Sequence, residues 1–187
     1  KADISSDQLS EYLYARHAME RNKHIRENID PENDAGSGMT DAEAENIMNS
    51  MSEDRRDLLE EFAREVDNII EETRVILERS GLMSEQQMDN LRDAYQNYVP
   101  LQGYAVDEKT GNEYLESTGD LSVKGKDTRR ALGRKSRAGD VLANVLAARQ
   151  RAIIRGRKNE VMQTLYTMAE ENPNPEVWQT FSDSNPD

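Results

Sequence analysis

His17, Glu20, His24 and Glu27 recur at steps of three, four and three residues, a spacing that aligns them on one face of a helix. Imidazole and carboxylate in such a row are ligand types for zinc and non-haem iron. The row matches neither His-Glu-x-x-His nor the Glu-x-x-His pairs that two helices give a di-iron bundle. These are the only two histidines in the chain. Arg16, Arg21 and Lys23 lie among them, so the face reads as a solvated stripe with intrahelical ion pairs, and no metal or other cofactor is assigned. A metal-dependent enzyme built on His17 and His24 is a remote third reading, decided by whether the rings face a concave pocket or open water. Tyr12, Tyr14, Arg16 and Arg21 are of the types that stack on bases and fork onto phosphate. Tyrosines at helical spacing more often fill a groove edge and keep their hydroxyls wet.

Other chemistries find less support. Gly36-Ser37-Gly38 is too short for a phosphate loop, and no Gly-Lys-Ser/Thr follows it. No Gly-x-Ser-x-Gly elbow occurs, and the chain has no cysteine, which removes disulfides, thiolate metal sites and thiol nucleophiles. No catalytic residue is assigned.

The strongest candidate is a block of positive charge. Between residues 121 and 158 stand Lys124, Lys126, Arg129, Arg130, Arg134, Lys135, Arg137, Arg149, Arg151, Arg155, Arg157 and Lys158, against only Asp127 and Asp140. The whole chain carries −13, so the remainder is strongly acidic. The block either neutralises acidic helices of its own fold or presents a cationic surface to nucleic acid or anionic lipid. The nucleic-acid candidates are Arg129, Arg130, Arg134, Lys135 and Arg137 on phosphates, with Arg151, Arg155 and Lys158 sharing a face farther along. Their binding would weaken steeply with salt.

The elements that must position these residues read as helix almost throughout. Ser5 or Ser6 caps a first helix to about Asn28, with Leu9, Tyr12, Leu13 and Met19 on one side and the rest half exposed. Pro31, Gly36 and Gly38 mark a loop over 29–39. Thr40 and Glu43 form a capping box for a short helix through Ile47 and Met51, and Ser52 caps the next. That helix, Glu53 to Ser80, repeats Leu58, Leu59, Phe62, Val66, Ile69, Ile70, Thr73, Ile76 and Leu77 at three- and four-residue steps, a rod about 40 Å long. Ser84 and Gln87 open a helix that carries Met88, Leu91, Tyr95 and Tyr98 and ends before Pro100. From Val99 to Thr128 the helical period is lost, and a small hairpin is expected around Lys109 to Asn112. A last long helix spans Ser136 to Glu171, with a buried stripe from Val141, Leu142, Val145 and Leu146 through Ile153 to Val161, Met162, Leu165 and Met168. Gly156 in its middle predicts a bend or a close helix contact. A turn over Glu176 to Phe181 would dock Trp178 and Phe181.

Composition agrees. Hydrophobic residues are 35% and charged residues 33%, with two Phe and one Trp, too few for a thick β-sandwich or barrel and suited to amphipathic helices. No apolar run approaches the roughly 18 residues needed to cross a bilayer. The expected fold is all-α: a single helical domain over 1–187 with about five helices, two long ones packed antiparallel. Acidic helices fill 1–98, an irregular excursion 99–128, and a basic long helix with a terminal turn 129–181.

Several stretches belong together as a set: Tyr12-Leu13-Tyr14-Ala15-Arg16-His17-Ala18-Met19-Glu20-Arg21-Asn22, Gly36-Ser37-Gly38-Met39, Tyr98-Val99-Pro100-Leu101, Arg137-Ala138-Gly139-Asp140 with Asn144, and Lys158-Asn159. In this order they resemble a helical module of the very large polyvalent proteins of tailed bacteriophages and related mobile elements, over roughly residues 9 to 178. The resemblance implies no catalytic residues; enzymatic domains of such giants lie elsewhere. It implies a non-enzymatic structural or interaction module that travels with DNA, found in the virion or in the host cytoplasm after ejection. Expected partners are other domains of the parent, other phage proteins, DNA or a second copy. A start at Lys1 without Met fits a fragment of a larger protein.

Overall fold

The computed structural model describes residues 3–102, 104–106, 113–115, 133 and 137–178, with backbone alone at 104–106 and 113–115. Within them the chain forms α1 (Ser6–Asn28), α2 (Asp41–Asn49), α3 (Glu53–Arg79), α4 (Glu85–Ala94), β1 (Tyr104–Val106), β2 (Glu113–Leu115) and α5 (Val141–Glu171). The fold is all-helical apart from the antiparallel β1–β2 hairpin, whose register pairs Tyr104 with Leu115 and Val106 with Glu113.

Three helices begin on complete capping boxes: Ser5 with Gln8, Thr40 with Glu43, and Ser84 with Gln87. In each, the first side chain accepts the third residue's N–H, and the third side chain returns the bond, so two otherwise orphaned donors are satisfied. Ser52 occupies the cap position of α3 but makes no side-chain cap bond.

Two boundaries differ from expectation. α4 closes at Ala94, and Tyr95 turns extended at φ −145° and ψ 120°. Tyr95 and Val99 are buried, so the strap 95–99 gains more from packing than from continuing a helix, and Pro100 biases its predecessor toward extended backbone. α5 begins at Val141, not Ser136. Asp140 Oδ1 caps it by accepting the Ala143 N–H at 3.2 Å, while the Gly139 N–H leaves the helical path to donate to Gln102 O at 2.9 Å.

The two long helices α3 and α5 pack on each other, but in the same direction rather than antiparallel. Arg149 meets Ile69 and Glu72, Gly156 meets Ile76 and Ser80, and Asn159 meets Ser80. Both numberings climb together. Short loops force antiparallel neighbours; here residues 80–140 intervene, long enough to bring the chain back to the start of α3. α1 follows the same sense, with Gln8 opposite Arg55, Tyr12 opposite Glu60 and Arg16 opposite Asp67.

α1 is the central helix. Every residue from Tyr12 to Ala18 is buried, which corrects the expectation of a half-exposed helix with a solvated face. Its neighbours bring Met39, Ala44, Leu59, Ala63, Val66, Val99, Val141 and Val145 into one core. The long stripes are only partly covered: Phe62 on α3 and Leu146, Ile153, Val161, Met162, Leu165 and Met168 on α5 are exposed. Gly156 marks a close contact between helices, since a Cβ there would lie 3.0 Å from Ser80 Oγ and 3.1 Å from Ser80 Cβ.

Candidate functional site

Beginning at α1, the polar motif residues reach outward to loops from distant parts of the chain. Asn22, fully buried, donates from Nδ2 to Met39 O and to Asp41 Oδ1, both at 2.8 Å, and accepts the Ser37 N–H at 2.7 Å. Tyr14 Oη donates to Ser37 O at 2.9 Å and accepts the Ala138 N–H at 3.0 Å. Ser10 Oγ donates to Asp140 Oδ1 at 3.0 Å and accepts the Val141 N–H at 2.7 Å. Asn144 Nδ2 donates to Gln102 O at 3.3 Å, and Asn159 Nδ2 to Ser80 O at 2.7 Å. Buried backbone groups of irregular segments need partners, and these side chains supply them. The quoted stretches thus converge as the polar joints of the bundle.

Tyr12 and Arg16 turn to α3. Tyr12 Oη donates to Glu60, and burial with that neighbouring carboxylate pushes its pKa up to about 12. Arg16 is 8% exposed and bonds Asp67 at 2.6 Å, with Glu60 at 3.7 Å. Neither hydroxyl nor guanidinium stands free at a groove edge.

His17, Glu20, Arg21 and His24 face the strap 95–99. His17 is 1% exposed and packs edge-on against Tyr95 and Tyr98, with centroids 5.1 and 5.6 Å away. Burial, then the charges of Arg21 and Arg16, lower its pKa to about 3, so the ring is neutral. His24 lies 5.5 Å from Tyr95. Glu20 accepts the Asn97 backbone N–H at 3.0 Å and its side-chain amide at 2.6 Å. Arg21 Nη1 donates to Tyr95 Oη at 3.4 Å. Arg74 of α3 lies over Tyr98, 5.3 Å from the ring centre. Of the helical row, His17, Glu20 and His24 contact the strap, while Glu27 is exposed. Among the described residues no group of three or more His, Asp or Glu side chains is placed to hold a metal.

This cluster holds buried polar atoms without partners. Arg74 Nε and Nη2, Arg21 Nε and His17 Nδ1 are buried and make no hydrogen bond. Arg74 is a functional-site residue that the periodicity of its helix does not single out. The available signal was Tyr98-Val99-Pro100-Leu101, whose ring needed a partner.

Of the cationic candidates, Arg129, Arg130, Arg134 and Lys135 lie outside the described residues. Arg137 pairs with Glu11 at 3.0 Å and stands 5.8 Å from the Tyr14 ring centre. Arg149 pairs with Glu72 at 2.8 Å and Arg157 with Glu160 at 2.8 Å. Arg151 donates to Gln102 Oε1 at 3.3 Å. Arg155 is part-buried and Lys158 exposed on α5.

One described depression, lined by Asp54, Asp57, Leu58, Glu60, Glu61 and Arg64, is open and acidic. The second half of α5 is different in kind. Val161, Met162, Leu165, Tyr166 and Met168 are each more than half exposed, and steps of three and four residues gather them on one side. Trp178 is also exposed, at 39%, and Phe181 lies outside the described residues. Among the described residues no helix is long and apolar enough to cross a membrane. No protein-family profile, curated protein or solved structure matches the chain.

Proposed function

We propose that this chain is a non-enzymatic structural and interaction module of a large multidomain protein encoded by a tailed phage or related mobile element, acting in the virion or in the host cytoplasm after infection. The phage context rests on the resemblance of the motif set. The observation that carries the interaction role is the second half of α5, an amphipathic rod clear of the bundle with Val161, Met162, Leu165, Tyr166 and Met168 on one side. A contiguous exposed apolar face rimmed by charge is the usual mark of a protein contact, and an amphipathic helix docks through anchors at such spacings. The partner is another domain of the parent protein, another phage protein or a second copy.

The test is sedimentation velocity of the purified chain over a range of concentrations, alone and mixed with the remainder of the parent polypeptide. Association is expected in at least one arm, and the double substitution M162E/L165E abolishes it while leaving the helical circular dichroism unchanged. Absence of association in both arms, association indifferent to the double substitution, or robust turnover of a substrate by the chain would overturn the reading.

A further inference from the structure

We propose that Arg74 and Arg21, behind the strap that carries Tyr95 and Tyr98, form a binding site for the phosphoryl group of a phosphate-bearing ligand. This site is separate from the exposed face of α5 and does not depend on it.

The argument begins with the guanidinium of Arg74. Its Nη1 is anchored to Glu71 at 3.3 Å, and the side chain is 12% exposed. Nε and Nη2, which share one edge of the planar group, are both buried without acceptors. Two parallel N–H donors on that edge are the fork that grips two oxygens of a phosphate or carboxylate at once. Glu71 cannot serve that edge, since its other oxygen is committed to Arg92. Arg21 repeats the pattern: Nη1 touches Tyr95 Oη at 3.4 Å, and Nε is buried and unpaired. His17, 99% buried by its 1% exposure, adds Nδ1 as a third polar atom without a partner. Arg74 lies over Tyr98, Arg21 bonds the Tyr95 hydroxyl and His17 touches both rings, which lie 6.0 Å apart.

Buried polar atoms are nearly always satisfied, and a group of charged ones left open needs an explanation. Glu20 and Glu71 are already engaged: Glu20 with Asn97, and Glu71 with Arg74 Nη1 and Arg92. A bound oxyanion supplies the missing acceptors. Two guanidinium groups favour a dianionic phosphoryl group over a single carboxylate. The route in is at hand, because Arg21, His24, Asn97 and Tyr98 are half-buried and bring the cluster to the surface. The strap follows the end of α4, is held to α1 by the Glu20–Asn97 bonds and lays Tyr98 against Arg74 at this edge.

The experiment measures binding of inorganic phosphate and of adenosine monophosphate to the full chain by calorimetry and by thermal shift, against acetate and against sodium chloride at matched ionic strength. Saturable binding of phosphate or the monophosphate is expected, weakened at least tenfold in R74Q and in R21Q. Tighter binding of the nucleotide than of free phosphate would identify a phosphomonoester as the ligand. R74K keeps the charge but loses the fork and is expected to bind as weakly as R74Q; it replaces R74Q if that variant does not fold. No saturable binding by either phosphate, acetate binding as tightly as phosphate, or equal affinity in wild type, R21Q and the Arg74 variant would overturn the proposal.

Discussion

At the scale of single residues, His17 makes stability depend on acidity. Its folded pKa, near 3, is below the ordinary value of 6.5. The unfolded chain therefore takes up a proton as pH falls through 6.5, and the folded chain does not until about 3. Stability is fully present above 6.5 and drops below it, by about 1 kcal/mol per pH unit. Urea unfolding at pH 7, 6 and 5 should show that slope in wild type and a flatter profile in H17F, whose ring keeps contact with Tyr95 and Tyr98. Asn22 is the second test. Removing it by N22A strands the Ser37 N–H in a dry interior and takes one of two donors from Met39 O, at a cost of about 2–3 kcal/mol in denaturant unfolding; N22D, which sets a buried carboxylate against Asp41 and Met39 O, is expected to cost at least as much. Gly36 is equally unforgiving, because a Cβ would stand 2.7 Å from Ile25 Cβ and Cγ1. These residues were legible as a motif but not as joints. Asn22, Tyr14 and Ser10 bond partners up to 131 positions away, and a helical wheel carries no information about loops that return from so far.

At the scale of elements, what was local was readable. Each capping box is complete within four residues, so Ser5, Thr40 and Ser84 announced their helices. What depended on neighbours was not. Polar residues at Arg16, His17 and Asn22 suggest a wet face, yet α1 is enclosed because Asp67, the strap and the loop at 37–39 meet them one by one. The apolar stripe of α5 conversely suggested burial, while α3 ends at Arg79 beside Asn159 and leaves the next turns uncovered. Where the two helices do meet, Gly156 is the tight point. Alanine there should gain about 1 kcal/mol of helix propensity. Ser80 is 2% exposed and bonds Leu77 O at 3.2 Å, so it has little room to yield. G156A is therefore expected to be no more stable than wild type, and G156L to lower the thermal midpoint markedly. D140A removes the α5 cap and the Ser10 contact together, costing about 1–2 kcal/mol by the same assay.

At the scale of the molecule, the shared direction of α1, α3 and α5 is the least readable property, since periodicity says that helices pack and not which way they run. It can be measured directly. The chain has no cysteine, so one introduced at Glu53 accepts a nitroxide without background. Amide resonances near Val141 should broaden while those near Leu165 stay sharp; antiparallel packing would reverse the pattern. The same direction has a mechanical consequence. α5 alone extends about 46 Å, and position 6 lies at one pole of the bundle with position 171 at the other. A pull applied between them loads the long helices along their axes, so their contacts must slide in shear together instead of peeling apart one turn at a time. A domain so built resists stretching through its unfolding rate, a property useful to a polypeptide that is threaded or tugged.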